Sequence, residues 1–380
     1  MREEKIHMVS LDIRHPFTKL LIVFTLWIAW SLLSGGLFEV YLAGQGITLQ
    51  QIFYTNIGWF LPPLLILPFI RKLSLRSSVL LGIIIAFSAT FLFLVSPPEY
   101  SGYIYRLLLG FAIVFFWVPF NIAYYEFRHD NHAQMGALYY SVTPMLSLFL
   151  PFFSGYVASI FGFPVLFVLS MFAALITFIA AFILLEEREY QFDLVTSLRQ
   201  ISGLRTLVFT EGFTASLIIG TTLSILLLNY ASQPFEFGIF SSLSMLFSIA
   251  ASMLTAKLSD KKMERRSFLL PMVVGFAIST MVAGLTHDVL VFFIAMGMVN
   301  FFSRIFFPLP LALVVDNSKS IVSSMVGREF MLNLGRIAGV MVGIILVQVA
   351  DLNVVMMVEG AALLLYIPIF ENRKNKLLYH

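Results

Sequence analysis

Three arginines lie inside long apolar stretches of the sequence: Arg106, Arg304 and Arg336. An ionisable side chain at bilayer depth is costly, so it marks a binding or coupling site unless it is paired or reaches the membrane surface. Few acids lie equally deep, and the three arginines therefore predict a small organic anion as ligand. The alternatives are an ion pair of Arg304 with Glu329 or another acid, an interhelical pair for Arg336, and an Arg106 side chain that extends to the surface.

One carboxylate and several polar or aromatic side chains are further candidates for contact with a ligand or a coupling ion. We expect Glu39, near the end of the first apolar stretch, to be a hydrated carboxylate; a buried one would suit proton coupling. Thr214 and Thr221 share one face of a helix, and Trp30 and Asn121 lie in apolar stretches as well. The alternatives are hydroxyls that hydrogen-bond to their own helix and aromatic anchors at the membrane surface.

The composition is that of a membrane protein. Of the 380 residues, 59% are hydrophobic and 12% are charged, whereas a soluble domain has about 25% charged residues. The net charge of +3 fits membrane lipids with anionic headgroups as partners and gives no reason to expect nucleic acid. The sequence contains no cysteine, which excludes disulfides, thiol catalysis and cysteine-ligated metals. We expect no metal and no cofactor.

The sequence lacks the motifs of common membrane enzymes and of ATP-driven proteins. It contains no H-E-x-x-H, no D-D-x-x-D and no G-x-S-x-G, so we expect no enzyme. It also contains no G-x-x-x-x-G-K-[ST] phosphate-binding loop, so ATP would not drive any transport directly. The energy would come from a proton or solute gradient.

Twelve apolar stretches are long enough to cross a bilayer, which takes about 20 residues. Each must be helical, because a strand would leave backbone groups unpaired in lipid. Lysine and arginine occur only in every second loop, and basic loops are retained in the cytoplasm. We therefore predict a multi-pass protein of the cell membrane with both termini cytoplasmic. The predicted spans are 18–42, 51–70, 77–96, 102–125, 136–160, 163–185, 207–230, 237–256, 268–286, 289–314, 326–349 and 353–370.

The longest polar stretch inside the chain separates these spans into two sets of six. Prolines, acids and glycines follow at similar spacing in both sets, which indicates a tandem repeat. The predicted fold is an all-α polytopic membrane protein with twelve transmembrane helices in two six-helix pseudo-repeat bundles. The predicted divisions are a cytoplasmic tail (1–17), a first bundle (18–185), a cytoplasmic linker (186–206), a second bundle (207–370) and a cytoplasmic tail (371–380).

Four segments resemble motifs of the major facilitator superfamily of secondary transporters. Residues 256–266 are similar to its loop motif G-x-L-x-D-R-x-G-R-R, with Ala and Glu in place of the two glycines. Residues 68–76 form the equivalent loop of the first half and keep the basic residues but not the Asp. Residues 106–110 match R-x-x-x-G, and residues 150–155 are similar to G-P-x-x-G-G. The architecture resembles that of the family over essentially the whole chain.

The resemblance implies a monomeric transporter that works by alternating access. By the family pattern, Asp260 with Arg265 and Arg266 would latch one conformation; the alternative is a simple topology anchor. Glu126 and Asp316, which the repeat places at equivalent helix ends, would be gate or latch partners; the alternative is plain solvation of the helix ends. Together with the glycines that let helices approach closely, the gate and packing candidates are Asp260, Arg265, Arg266, Glu126, Asp316, Arg71, Arg76, Gly110, Gly155 and Gly343.

Two alternatives to a proton-coupled transporter of small anions stay open. The 40 phenylalanines and 17 methionines would also suit an efflux transporter for lipophilic compounds, although such residues face lipid as well as cavities. The other alternative is a non-transporting sensor or assembly partner. Measurement of directed solute flux in liposomes distinguishes a transporter from such a non-transporting protein.

Overall fold

The computed structural model describes residues 15–126, 132–217, 222–260 and 265–377. Side chains are described within these ranges except at 132–140, 215–217, 253–260, 265–268, 309 and 373–377. The described chain is almost entirely α-helical. This follows from the apolar composition, because a backbone in apolar surroundings has to satisfy its hydrogen bonds within its own segment.

In the part of the chain that the structure describes, eight helices precede the linker. The first begins at Pro16, where the missing N–H costs nothing in the first turn. The third begins with a capping box, in which Thr48 and Gln51 each accept from the other's backbone N–H. The helices are α1 (Pro16–Gly35), α2 (Phe38–Gly44), α3 (Leu49–Tyr54), α4 (Asn56–Ile66), α5 (Leu75–Val95), α6 (Pro98–Glu126), α7 (His132–Phe161) and α8 (Phe163–Leu184).

Ten helices form the rest of the described chain. Asp193, Asp288 and Ser320 accept hydrogen bonds from backbone N–H groups at the starts of α9, α14 and α16, which satisfies donors that would otherwise be unpaired. The helices are α9 (Leu194–Gln200), α10 (Arg205–Leu217), α11 (Leu223–Leu227), α12 (Pro234–Asp260), α13 (Arg265–Leu285), α14 (Val289–Phe306), α15 (Pro308–Asp316), α16 (Ile321–Val349), α17 (Leu352–Leu363) and α18 (Tyr366–Leu377).

Nine helical stretches of the described residues are long and apolar enough to cross a membrane. They agree with nine of the predicted spans to within a few residues at most ends. The protein is therefore an integral, multi-pass membrane protein. The stretches are Pro16–Gly44, Leu75–Val95, Pro98–Glu126, Ser141–Phe161, Phe163–Leu184, Pro234–Ser252, Val289–Asp316, Ile321–Val349 and Leu352–Asn372.

The other three predicted spans are interrupted or short. The span predicted at 51–70 is divided at Thr55 into α3 and α4. The span at 207–230 consists of α10 and α11, between which residues 218–221 lie outside the described chain. The span at 268–286 falls on α13, whose apolar part, Leu269–Leu285, is shorter than a full crossing. The count of twelve and the division into two bundles stay predictions.

The linker contains a strand and a helix that contact both halves of the chain. Strand β2 (Glu189–Gln191) pairs antiparallel with β1 (Lys72–Ser74), which follows α4. Helix α9 packs on α16 so closely that a Cβ on Gly327 would lie 2.5 Å from the Ser197 carbonyl oxygen. The apolar linker side chains of Leu194, Ile201 and Leu204 are accordingly buried against protein.

The two ends of the helix bundle differ in charge. The end that we call the basic end carries residues 67–74, 185–204 and 317–320, each with lysine or arginine. The opposite end carries the connections 45–48, 96–97, 228–233, 286–288 and 350–351, which contain neither.

Helices α7 and α12 join the two halves most closely near the opposite end. A Cβ on Gly155 would lie 2.4 Å from the carbonyl oxygen of Pro234, and one on Gly238 would lie 2.4 Å from that of Pro151. Between α3 and α16, the Gln50 amide donates to the Val347 carbonyl oxygen at 3.1 Å. The halves are therefore in direct contact at the opposite end.

We expect Gly155→Ala to destabilise the protein, because the new Cβ would overlap backbone atoms, which cannot move away by a change of rotamer. Overpacking of this kind costs about 1–3 kcal/mol. The measurement is the thermal unfolding midpoint in detergent. Gly44→Ala is the matched control, since no atom lies within 4 Å of its Cβ position. Equal midpoints for both variants would contradict the close approach of α7 and α12.

Candidate functional site

A cavity of about 310 Å³ lies among α1, α2, α4 and α6, with Ser224 of α11 lining it from the second half of the chain. The sequence contains four tryptophans, and all of them line this cavity: Trp27, Trp30, Trp59 and Trp117. We call it the tryptophan cavity.

Stacked rings hold the walls of the cavity in place. The Trp27 ring lies 3.8 Å from the Phe116 ring between centroids, nearly parallel, and 4.6 Å from the Trp30 ring. Trp117 meets Phe24 edge to face at 5.9 Å. Helix α1 presents Trp27 and Trp30 together because they are three residues apart on one face. The aromatic wall is thus built by α1 packing against α6.

A buried ion pair forms the charged part of the lining. A guanidinium nitrogen of Arg106 lies 3.0 Å from a carboxylate oxygen of Glu39, and both residues are 4% exposed. The same guanidinium lies 4.2 Å from the Phe38 ring centroid and 4.1 Å from that of Trp59. The expectation of a hydrated carboxylate at Glu39 is therefore wrong, because α6 supplies a cation at the same depth. Nor does Arg106 extend to the surface.

Hydrogen-bond donors are in excess around this pair. Among the described residues, the buried Nε of Arg106 and the indole N–H groups of Trp30 and Trp59 have no partner. The Tyr105 hydroxyl nearby donates to the Ser34 hydroxyl at 3.0 Å. An unpaired buried N–H is costly, so these three groups favour any rearrangement that brings in an acceptor.

A second set of buried charges joins α10 to α16. Arg328 forms an ion pair with Glu211. One turn or more further along α16, the Arg336 guanidinium lies 3.8 Å from the Glu329 carboxylate and donates to the Asn333 side chain at 3.2 Å. Arg336 is thus paired within its own helix and not between helices, which differs from the alternative considered for it. The Arg336 guanidinium also lies 5.3 Å from the centroid of a ring in the first half, Phe60.

Glu359 is a buried acid outside both sets. It is 0% exposed on α17, and one of its oxygens accepts from the Thr222 hydroxyl at 2.9 Å. The other oxygen, Oε2, is buried and has no partner among the described residues.

Several residues predicted to contact the ligand lie elsewhere. Arg304 on α14 and Asn121 on α6 are half-buried and do not line the tryptophan cavity. Thr214 is buried, and its hydroxyl bonds back to the carbonyls of Thr210 and Glu211 on its own helix. Thr221 lies outside the described residues. Of the predicted set, Arg106, Glu39 and Trp30 are brought together, and Trp59 was missed because nothing in the sequence shows that α4 packs on α6.

The basic residues after α4 pair with acids of the linker. Arg71 pairs with Asp193, Lys72 lies 3.1 Å from Glu189, and Arg76 lies 3.2 Å from Glu187. The linker thus supplies the acid that this loop lacks by comparison with the family motif. Strands β1 and β2 and the ion pairs between residues 71–76 and 187–193 together form what we call the linker clamp.

Hydrogen bonds keep the clamp acids ionised. Burial alone would raise the pKa of Glu187, but hydrogen bonds from Ser74, Ser77 and Arg76 outweigh it and hold that pKa below its usual value. The pKa of Asp193 is lowered by hydrogen bonds from Thr196, with a smaller effect of Arg71. Both carboxylates are therefore charged at neutral pH, as the ion pairs require.

The remaining gate and packing candidates have separate positions. Glu126 ends α6 and lies 3.1 Å from Arg188 of the linker, and Asp316 ends α15. Asp260 ends α12, and α13 begins with Arg265 and Arg266, but their side chains lie outside the described set. A Cβ on Gly110 would lie 2.6 Å from the Trp59 carbonyl oxygen, and Gly343 is buried on α16.

Spanning helices around a cavity with a buried ion pair are typical of membrane carriers. Residues 204–376 match the family model of the Major Facilitator Superfamily. The match covers the second half of the chain and supports its membership of this superfamily, whose members are secondary transporters and not enzymes. Comparison with curated proteins gives no match.

We expect Arg106→Gln to destabilise the fold more than the double variant Glu39→Gln/Arg106→Gln. The single variant leaves a buried carboxylate without its cation, and breaking such a pair costs about 3–5 kcal/mol. The double variant removes both charges and keeps similar shapes. Chemical unfolding in detergent, followed by tryptophan fluorescence, measures the difference. A double variant less stable than the single one would contradict the assignment of the pair.

Proposed function

We propose that the protein moves a small organic anion by alternating access, coupled to a proton gradient, with the tryptophan cavity as its binding site. The observation that carries the proposal is the Arg106–Glu39 pair in the cavity lining. An anion that enters the cavity competes with Glu39 for the guanidinium. A proton on Glu39 removes that competition.

The pair links proton and anion binding through the cost of buried charge. With the pair intact, the two charges cancel. An anion added to the charged pair would leave one buried negative charge in excess, which is expensive in a low-dielectric site. A proton on Glu39 restores neutrality, so proton and anion bind together. The unpaired N–H groups of Arg106, Trp30 and Trp59 favour a ligand rich in acceptor oxygens.

The cavity also limits the body of the ligand. Its volume of about 310 Å³ is at the lower limit of roughly 300–1,000 Å³ found for small-molecule sites. Four indole rings make most of the wall apolar. These features support a compact monocarboxylate with an apolar body.

Access would alternate between the two ends of the bundle. The contacts of Gly155 with Pro234 and of Gln50 with Val347 would have to part for the opposite end to open. The charge of the basic end supports a cytoplasmic location for it by the positive-inside rule. Both termini would then be cytoplasmic.

A second candidate is efflux of lipophilic compounds. The observation that favours it is the same ring of four tryptophans, because indole faces bind cations and apolar surfaces without needing a charged partner. In this alternative Arg106 and Glu39 only hold helices together.

The test is ligand binding by purified protein in detergent. We expect cyclohexanecarboxylate to raise the unfolding midpoint and to change tryptophan fluorescence, since every tryptophan of the chain lines the cavity. A ligand concentration of a hundred times Kd would raise the free energy of unfolding by about 2.7 kcal/mol. The neutral cyclohexanecarboxamide should do neither, and binding of the acid should weaken as pH rises. Uptake into proteoliposomes driven by a pH gradient would follow.

The matched control is Glu39→Gln/Arg106→Gln, which lacks both charges. It should lose the preference for the carboxylate over the amide while all four tryptophans stay in place. Equal response of the unaltered protein to both compounds would refute the anion site. A response to tetraphenylphosphonium alone, unchanged in the double variant, would establish the lipophilic alternative.

A further inference from the structure

We propose that Glu359 carries a proton in this conformation and is a proton-binding site of the second half, separate from the tryptophan cavity. Its part in transport rests on the proposed function above. The protonation itself does not, and the two are tested separately below.

The surroundings of Glu359 accommodate a carboxylic acid and not a carboxylate. The side chain is completely buried on α17 and accepts one hydrogen bond within the described part of the chain, from the Thr222 hydroxyl at 2.9 Å. Its Oε2 has no partner among the described residues. An ionised carboxylate in such a place would be strongly unfavourable, whereas the neutral acid needs no counter-charge.

Among the residues whose side chains are described, no cation on the elements packed against α17 forms an ion pair with Glu359. Helix α17 packs mainly on α13 and also touches α10, α11 and α16. On α13 no residue after Arg266 is ionisable, and α11 has none. Residues 218–221 read Ile-Ile-Gly-Thr, so they contain no charge either.

The charged groups on the other neighbouring elements have other partners. On α10 and α16, Glu211 pairs with Arg328, and Glu329 lies beside Arg336. Tyr366, which begins α18, is seven residues after Glu359 and therefore about 10 Å away along a helix. Arg205 begins α10 and donates to the Leu198 carbonyl of the linker.

The proton site is connected to the cavity by a short piece of chain. Thr222, which bonds to Glu359, is two residues before Ser224, which lines the tryptophan cavity. The intervening Leu223 begins the five-residue helix α11. A ligand that displaces Ser224 would move Thr222 with it and so alter the hydrogen bond that Thr222 donates to Glu359. Release of the proton then requires this contact to open to water, which takes up the proton from the carboxyl oxygen.

Infrared spectroscopy tests the protonation directly. The difference spectrum between unaltered protein and Glu359→Gln at neutral pH should show a carboxylic acid C=O stretch above the amide I band. Glu236→Gln, which alters an exposed acid at the start of α12, is the control and should show only carboxylate bands. If the Gln variant does not fold, Thr222→Val serves instead. Loss of the donated hydrogen bond should then raise the frequency of the same C=O band.

Transport tests the role of the proton. Glu359→Gln mimics the protonated acid and keeps an acceptor for Thr222. It should bind cyclohexanecarboxylate and exchange it across the membrane without a gradient. Its accumulation under a pH gradient should fall well below that of the unaltered protein, although Glu39 can still take up a proton, and Glu236→Gln should accumulate normally.

Each outcome separates this inference from the proposed function. Absence of the C=O band would overturn the protonation, whatever the substrate. A band together with full gradient-driven accumulation in Glu359→Gln would overturn the coupling role. If cyclohexanecarboxylate neither binds to nor crosses with the unaltered protein, the anion proposal fails, while the band still decides the state of Glu359.

Discussion

Neutralisation of buried charge is the constraint on which the rest of the structure depends. Apolar helices hold an ionised side chain only beside an opposite charge or several hydrogen-bond donors. Arg106 and Glu39 meet this requirement by joining α6 to α2, and Arg328 and Glu211 meet it by joining α16 to α10. The same pairs that fix neighbouring helices are therefore the groups with which a charged ligand or a proton must interact. Stability and ligand binding depend on shared interactions.

Hydropathy and loop charge predict most of the helices, because every span in lipid has to be apolar and has to form its backbone hydrogen bonds within its own helix. They do not predict the interruption at Thr55. Hydropathy is averaged over many residues, so it does not respond to a break in the helical hydrogen bonds at one residue. They also miss the strand at Lys72–Ser74. Three residues carry no periodic signal, and the strand residue opposite Lys72 is Gln191, which is far away in the sequence, so the pairing exists only in three dimensions.

For the candidate site, the sequence identifies costly residues but not their neighbours. Arg106 and Trp30 are conspicuous in apolar stretches, and both line the cavity. Glu39 was misjudged because its distance from the end of a span says nothing about which helix covers it. Arg304 is as conspicuous as Arg106 in the sequence, yet it does not line the cavity. The depth of a residue in a span does not show how the helix is rotated about its axis, so the sequence could not distinguish the two arginines. The sequence feature that could have predicted the Arg106–Glu39 pair is that these two opposite charges lie at similar depths in their spans.

The linker clamp has a consequence for the order in which the protein is made. Its strands and ion pairs involve residues up to Asp193 and none beyond. Backbone pairing of β1 with β2 encloses α5 to α8 in one loop of chain. A ribosome that has added Asp193 has therefore supplied every component of the clamp before α10 has been synthesised. The amino-terminal helices can be fastened together at that moment, which makes the two halves successive steps of biogenesis.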